Sequence, residues 1–180
     1  GNIVAGNSTL IEGGGMFIYS SNATLNGNVI TGNDARTGSG GGIVIECISG
    51  YSVNLINNVV VGNTAHGDGT GMSIQGGNAT HYFRHNTIAS NTGGDGSGIC
   101  VGETGNESIT VWLTNTIIVS QTVGIYADSG NTATLNGVLW YNNTGGNTGG
   151  AGVIYATDEI TGNPAFAPDG YHLTANSAAL

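Results

Sequence analysis

One segment of asparagine and branched aliphatic residues returns along this chain at nearly constant spacing. A clear copy is Asn28-Val29-Ile30-Thr31-Gly32-Asn33, and the leucine three residues before it serves as a marker. The marker and its equivalents are spaced by 30, 28, 30 and 22 residues, at Leu25, Leu55, Phe83, Leu113 and Leu135. A period of about 20 to 50 residues is typical of stacked supersecondary units, which bury their apolar faces only against their neighbours.

The repeating unit contains strands. Each copy also has a glycine-rich piece, whose last glycine is Gly15, Gly42, Gly71, Gly98, Gly124 or Gly152. The first and third residues after this glycine are apolar and the second varies, an alternation typical of a strand with one face packed inward. Glycine and asparagine recur too often for a helix interior. The pattern predicts outward positions that include Phe17, Val44, Tyr126 and Ile154.

This strand pattern predicts an all-β fold. The fold expected is a right-handed parallel β-helix of about six coils, in one domain over residues 1–180. Equivalent residues would stack at about 4.8 Å. An amide eight positions beyond each marker predicts an inward ladder at a turn, formed by Asn33, Asn63, Asn91, Gln121 and Asn143. Each amide can donate to one neighbouring coil and accept from the other, which satisfies a buried asparagine. A second amide series, Asn28, Asn58 and Asn86, fades into Thr116 and Val138.

The repeat carries a resemblance to known families. Its Gly-Gly-(Ile/Val) pieces, paired with Leu25-Asn26-Gly27-Asn28 and Phe83-Arg84-His85-Asn86, resemble repeats of bacterial polymorphic outer-membrane proteins. Asn115-Thr116-Ile117-Ile118, and Asn163-Pro164-Ala165-Phe166 before Tyr171-His172-Leu173, resemble bacterial surface proteins of the choice-of-anchor Q type. Both groups belong to the pectate-lyase-like right-handed β-helix superfamily, and the resemblance covers essentially the whole chain. It implies the fold, which carries lyases, hydrolases, adhesins and structural fibres alike.

The amino-acid composition limits the classes of partner that this chain can bind. Two arginines, no lysine and eleven acidic residues give a net charge of −9. That balance disfavours nucleic acid, which needs a basic patch, and a polyanionic polysaccharide unless a cation bridges the two. A surface of asparagine, threonine, serine and glycine suits an extracellular or cell-surface setting. No apolar run is long enough for a membrane-spanning helix. The chain begins in mid-repeat without methionine, which predicts a mature or trimmed fragment, and residues 164–180 are predicted to cap the last coil partially.

Two aspartates three positions before their marker glycines form the sharpest acidic pair. Asp68 and Asp95 should stack on adjacent coils, where two carboxylates repel unless a cation or proton lies between them. Calcium fits hard oxygen ligands. The alternative is that both are solvated turn residues, and no calcium-binding motif is present. Apart from this calcium hypothesis the sequence predicts no cofactor.

Two aromatic residues point outward on neighbouring coils. Tyr82 and Trp112 each precede a marker residue, and Arg84 lies beside Tyr82 on the same face. Flat rings with hydrogen-bonding groups can form a sugar-binding platform. The alternative is that the long connections between strands fold over the rings. His81 falls in an otherwise apolar inward column, where a hydrogen-bonded histidine at the strand edge is a better interpretation than a ligand.

Catalysis is the less favoured interpretation. Polysaccharide lyases of this superfamily use a basic residue beside a calcium-bound acidic cluster, and the related hydrolases use several aspartates on adjacent strands. Here lysine is absent, neither arginine lies beside Asp68 and Asp95 on the coil pattern, and no paired carboxylates of a glycosidase can be assigned.

The sequence therefore favours a noncatalytic extracellular or cell-surface protein with a structural, adhesive or assembly role, and the resemblance implies a bacterial source. Its partners would be further copies end to end, forming filaments, or neighbouring surface proteins. The alternative is a carbohydrate-binding or polysaccharide-cleaving module. Sequons that could carry glycans occur at Asn7, Asn22, Asn78, Asn106 and Asn142.

Overall fold

The computed structural model describes residues 1–102 and 108–180, which form β-strands and turns without a helix. The first three coils contain four strands each: β1 (Ile3–Ala5), β2 (Ser8–Thr9), β3 (Met16–Tyr19), β4 (Ala23–Asn26), β5 (Val29–Thr31), β6 (Asp34–Ala35), β7 (Ile43–Cys47), β8 (Val53–Ile56), β9 (Val59–Val61), β10 (Thr64–Ala65), β11 (Met72–Gly76) and β12 (Ala79–Arg84).

The later coils shorten. Their strands are β13 (Thr87–Ala89), β14 (Thr92–Gly93), β15 (Ser97–Val101), β16 (Ile109–Thr114), β17 (Ile117–Val119), β18 (Val123–Ala127), β19 (Thr132–Asn136), β20 (Leu139–Tyr141), β21 (Gly146–Gly149), β22 (Val153–Thr157) and β23 (Ile160–Thr161). No helix of the described residues is long and apolar enough to cross a membrane.

The strands stack into four parallel sheets. We name them in the order in which the chain visits them: sheet 1 (β1-β5-β9-β13-β17-β20-β23), sheet 2 (β2-β6-β10-β14), sheet 3 (β3-β7-β11-β15-β18-β21) and sheet 4 (β4-β8-β12-β16-β19-β22). Strands pair with the equivalent strand one coil away, so the chain forms a parallel β-solenoid of about five turns. The predicted all-β solenoid is confirmed.

The corners between sheets use the left-handed backbone region. Between sheets 4 and 1 a positive φ recurs at one position in every coil, at Gly27, Asn57, His85, Asn115, Gly137 and Asp158. Glycine and asparagine tolerate this conformation best. The small polar residues that rule out a helix therefore turn the chain from one sheet to the next.

The core is a single column of inward-facing side chains. Ile43, Ile45, Leu55 and Phe83 are among its fully buried members. In the last coil it ends with Trp140, whose Nε1 donates to Oε1 of Glu159 at 2.7 Å. The inward residues at both ends are less protected: Met16 and Leu25 of the first coil are half-buried, and Ala156 of β22 is exposed.

The predicted asparagine ladder is present. Oδ1 of Asn63 accepts the backbone N–H and Nδ2 of Asn33, both at 3.0 Å. Nδ2 of Asn63 donates to the Ile30 carbonyl and to Oδ1 of Asn91, again at 3.0 Å. A second ladder, which the sequence showed only as a fading series, runs through Asn2, Asn28, Asn58 and Asn86. Each buried amide therefore ties adjacent coils together.

Gln121 does not continue the side-chain ladder, contrary to the expectation of similar chemistry. Its backbone N–H donates to Oδ1 of Asn143 at 3.1 Å, but its Nε2 turns back to the Val119 carbonyl at 3.0 Å. Its Oε1 is buried without a hydrogen-bond partner among the described residues. The additional methylene of glutamine moves the amide out of the position that asparagine occupies.

The outward positions of sheet 3 differ from the prediction. Val44 is buried because the glycine-rich turn before β7 folds over it: a Cβ on Gly40 would lie 2.3 Å from the Val44 Cγ2. Phe17, in the first coil, stays exposed and Tyr126 is half-buried. The glycines thus also let a turn cover the outside of the sheet.

In the last coil the marker glycine no longer precedes the strand of sheet 3. The strand after Gly152 is β22, which pairs with β19 in sheet 4, whereas β21 takes the place in sheet 3. Ile154 therefore faces inward and packs against the core, and Tyr155 faces outward. The prediction for Ile154 is wrong because residues 146–149 already form the sheet 3 strand of this coil.

The C-terminal tail packs on the side of the solenoid. Phe166 and Ala179 contact the outer face of sheet 1, where they cover an apolar cluster of Ala89, Ile117, Val119 and Leu139. Phe166 and Leu173 form an antiparallel bridge within the tail. The inward positions of β22 stay partly or fully exposed, and the partial cap expected of residues 164–180 stays a prediction.

Candidate functional site

The outer face of sheet 4 brings the two predicted aromatic residues together. Tyr82 of β12 pairs in register with Trp112 of β16, and Asn54 and Thr134 flank them on the neighbouring strands. The side chains of Tyr82 and Trp112 are 36% and 46% exposed. Both side chains are therefore partly open to solvent.

A third aromatic residue lies in the same column. Tyr155 of β22 pairs with Thr134, two strands beyond Trp112, and is 62% exposed. The sequence pattern missed it because the last glycine marker placed Tyr155 on the inward face. The column across sheet 4 is therefore Thr24, Asn54, Tyr82, Trp112, Thr134 and Tyr155.

Arg84 lies on this face as predicted. It follows Tyr82 by two residues on β12, and its guanidinium carbon lies 5.8 Å from the centre of the Tyr82 ring. The face of an aromatic ring attracts a cation electrostatically, which favours this position of the guanidinium. Arg36, the other arginine, lies 3.7 Å from the Asp34 carboxylate. Arg84 has no such ion pair among the described residues.

A groove begins where this face turns into sheet 1. It encloses about 430 Å³ between the corner, sheet 1 and the C-terminal tail. His85, which follows Arg84 directly, lines it together with Asn115, Ile117, Leu139 and Leu173. The repeat pattern gave no signal for this groove, because the tail that forms one wall lies outside the repeat.

Asp68 and Asp95 do lie on adjacent coils. Asp95 is hydrogen-bonded to its own turn and to the turn of the neighbouring coil. Its Oδ1 accepts from the N–H groups of Ser97 at 2.9 Å and of Gly69, one coil away, at 3.2 Å, and its Oδ2 accepts from Ser97 Oγ at 2.6 Å. Burial, and then the carboxylates of Asp95 and Asp128, raise the pKa of Asp68 above 3.8.

With this geometry, Asp68 and Asp95 have few carboxylate oxygens free to bind a cation. The Asp95 oxygens already accept three hydrogen bonds from the protein, and calcium takes about six to eight oxygen ligands. Among residues 1–102 and 108–180, no group of three or more histidine, cysteine or acidic side chains could hold a metal ion. The calcium site remains a prediction, and a raised pKa favours a proton as the alternative way to relieve the repulsion.

His81 is a titratable side chain that faces into the core column. It is fully buried, its Nδ1 accepts the Val53 N–H at 3.1 Å, and its Nε2 has no hydrogen-bond partner among the described residues. Burial lowers the pKa of His81 to about 4. The expectation of a satisfied histidine at the strand edge is therefore wrong: the side chain is internal and only half satisfied.

The sequons lie in different environments. Asn22, Asn78 and Asn142 are exposed. The Nδ2 of Asn7, the atom that would carry a glycan, donates to Oδ1 of Asn33 at 3.0 Å in the first ladder. Asn106 lies outside the described residues. Glycosylation stays a prediction at these positions.

No family model, curated protein or solved structure matches the chain. The parallel β-helix fold therefore rests on the structure itself. The resemblance to polymorphic outer-membrane protein repeats and choice-of-anchor Q proteins remains a prediction.

Proposed function

We propose that this chain is a noncatalytic adhesive β-solenoid that binds carbohydrate through the outer face of sheet 4, in an extracellular or cell-surface setting. The observation that carries the proposal is the in-register pair of exposed rings, Tyr82 and Trp112, on a sheet face whose other side chains are mainly threonine and asparagine. A parallel sheet holds such rings on a rigid, nearly flat support.

Carbohydrate fits this surface better than other ligands. The apolar faces of sugar rings stack on aromatic side chains, and their hydroxyl groups exchange hydrogen bonds with amides and hydroxyls. Tyr155 lies two strands beyond Trp112, a separation of about 10 Å from the strand spacing. That row could contact successive sugars of one chain, which favours an oligosaccharide over a single sugar.

We propose a noncatalytic role because the outward positions of this face carry no carboxyl group. Glycoside hydrolysis generally uses two carboxyl groups on either side of the scissile bond. The outward positions of the six strands of sheet 4 carry none: they are Thr24, Asn26, Asn54, Ile56, Thr80, Tyr82, Arg84, Thr110, Trp112, Thr114, Thr132, Thr134, Asn136, Val153, Tyr155 and Thr157.

The experiment is a glycan array probed with the wild-type chain and with Trp112→Ala. Loss of one stacking ring should weaken binding about 10-fold or more, since aromatic stacking contributes on the order of 1 to 2 kcal/mol. Tyr141→Ala is the matched control, because Tyr141 is similarly exposed, at 40%, but lies on sheet 1. Glycan binding that is unchanged by Trp112→Ala, or the absence of any binding, would contradict the proposal.

Assembly is the second candidate function. The first coil exposes large apolar side chains, among them Leu10, Ile11 and Phe17. The last coil exposes Val153 and Ile160, so a second copy stacked end to end could cover part of both sets. Light scattering over a concentration series tests this: particle mass should rise with concentration, and Phe17→Ser should reduce the rise. A monomer at every concentration would exclude it.

A further inference from the structure

The negative charge of this protein is distributed unevenly. The chain carries a net charge of −9, yet the outward positions of sheet 4 include no carboxylate and one arginine. The described acids near the other surfaces include Asp34 in sheet 2, Glu46 in sheet 3, and Asp68 and Asp95 in the turns before sheet 3. Asp158 lies at one end of this face, where its Oδ2 accepts from Nδ2 of Asn136 at 3.1 Å. The described strand positions around Tyr82 and Arg84 carry no carboxylate, so this part of the face can accept a negative group.

Arg84 is held in a position to bind such a group. It pairs in register with Ile56 and Thr114, neither of which is charged, and its guanidinium is near the Tyr82 ring. Its side chain is exposed, and it forms no ion pair with the described residues. In a chain with eleven acids and two basic residues, a cation without a carboxylate partner retains its donors for a ligand.

The distance between Arg84 and the rings fits one ligand. Trp112 lies one strand across from Tyr82 and two residues before Thr114, the partner of Arg84. Strand spacing and rise place the Cα atoms of Trp112 and Arg84 about 8 Å apart. A sugar stacked on Trp112 could therefore extend a ring substituent to the guanidinium.

We propose that Arg84 makes this site selective for a glycan that carries an isolated carboxylate, such as a single uronic acid within an otherwise neutral chain. The guanidinium donates two parallel hydrogen bonds to the carboxylate, a geometry that arginine provides and lysine does not. Isolated acidic sugars are favoured over polyuronates because the surrounding surface is negative and repels a run of charges.

This inference rests on the proposed carbohydrate-binding function. Its test uses calorimetry with three probes: a neutral oligosaccharide, the same oligosaccharide with one glucuronic acid, and a polyuronate of equal length. The singly acidic probe should bind about 10-fold to 100-fold more tightly than the neutral one. Raising the salt concentration should reduce that preference.

Arg84→Gln should abolish the preference while leaving the affinity for the neutral probe nearly unchanged. Arg84→Lys should restore only part of it. Arg36→Gln is the matched control, since it removes the same charge from an arginine that is paired with Asp34 on another sheet. It should leave the preference intact.

The outcomes separate the two proposals. If neutral and singly acidic probes bind wild type equally, and Trp112→Ala weakens both, carbohydrate binding stands and the role of Arg84 is overturned. A preference that survives Arg84→Gln, or that Arg36→Gln removes equally, also overturns it. If no probe binds, the proposed function itself fails and this inference fails with it.

Discussion

The backbone N–H of Val53 donates to Nδ1 of His81, 3.1 Å away, inside the core of the solenoid. This bond requires a neutral ring, because a protonated imidazole has no acceptor nitrogen. The Val53 N–H thus bonds to a titratable side chain, whereas in a regular sheet it would bond to a backbone carbonyl. The core therefore contains one group whose protonation is incompatible with its own hydrogen bond.

Acid should destabilise the protein through His81. Its pKa is about 4 when folded, below the ordinary value of 6.5, so the unfolded chain binds the proton first. The stability is fully present above pH 6.5 and is lost as the pH falls toward 4, by roughly 3 kcal/mol. Thermal unfolding at several pH values measures this loss.

His81→Gln keeps an acceptor at this position and cannot titrate. Its melting temperature should depend less on pH between 6.5 and 4 than that of wild type. His85→Gln, at an exposed corner, removes another histidine and is the matched control. Equal slopes for His81→Gln and wild type would show that His81 is not the titrating group.

Asn63→Ala should be among the most destabilising substitutions outside the apolar core. The Asn63 side chain makes four hydrogen bonds to Asn33, Ile30 and Asn91, and its loss leaves buried groups unpaired. Each unpaired buried group costs about 1 to 3 kcal/mol, so a loss above 3 kcal/mol is expected in urea unfolding. Asn54→Ala, on the outer face of sheet 4, should change stability by less than about 1 kcal/mol. Similar losses for the two variants would contradict a structural role for the ladder.

Two glycines with nearly the same backbone conformation should tolerate alanine differently. Gly40 has φ +64° and Gly62 has φ +62°, but a Cβ on Gly40 would collide with Val44, whereas Gly62 has open space. Gly62→Ala should cost only the backbone strain of about 1 to 2 kcal/mol. Gly40→Ala should cost a further 1 to 3 kcal/mol or so from the steric overlap. Equal urea midpoints would mean that the turn does not need to pack on Val44.

Asp68→Asn should stabilise the protein at neutral pH. Burial and the neighbouring carboxylates raise the folded pKa of Asp68, so its charged form opposes folding above that pKa. Asparagine removes this cost, and the gain in melting temperature should shrink as the pH falls and Asp68 protonates. Glu12→Gln removes one charge from the turn of the first coil and serves as the control. A gain that persists unchanged at low pH would contradict this explanation.

Calcium titration of the same variants tests the remaining hypothesis for this pair. If Asp68 and Asp95 bind calcium, the ion should raise the melting temperature of wild type but not of Asp68→Asn. Equal responses would exclude the pair as the site.

The repeat was readable from the sequence because stacking makes local chemistry recur. Asn33, Asn63 and Asn91 each need the same partners one coil away, so the residue type returns whenever the geometry does. The exposed positions of Tyr82 and Trp112 followed from the alternation along their strands. Gln121 shows the limit of this reasoning: it resembles asparagine chemically, yet one methylene takes its amide out of the ladder.

The strands, the parallel stack, the first amide ladder and the aromatic pair are predictable from the sequence, because period-two alternation and a near-constant repeat are local properties. What covers each outer face depends on tertiary contacts. A glycine turn buries Val44, the tail covers part of sheet 1, and a changed phase exposes Tyr155. These outcomes depend on contacts between distant segments, and burial is set by what packs against a side chain rather than by its parity along a strand.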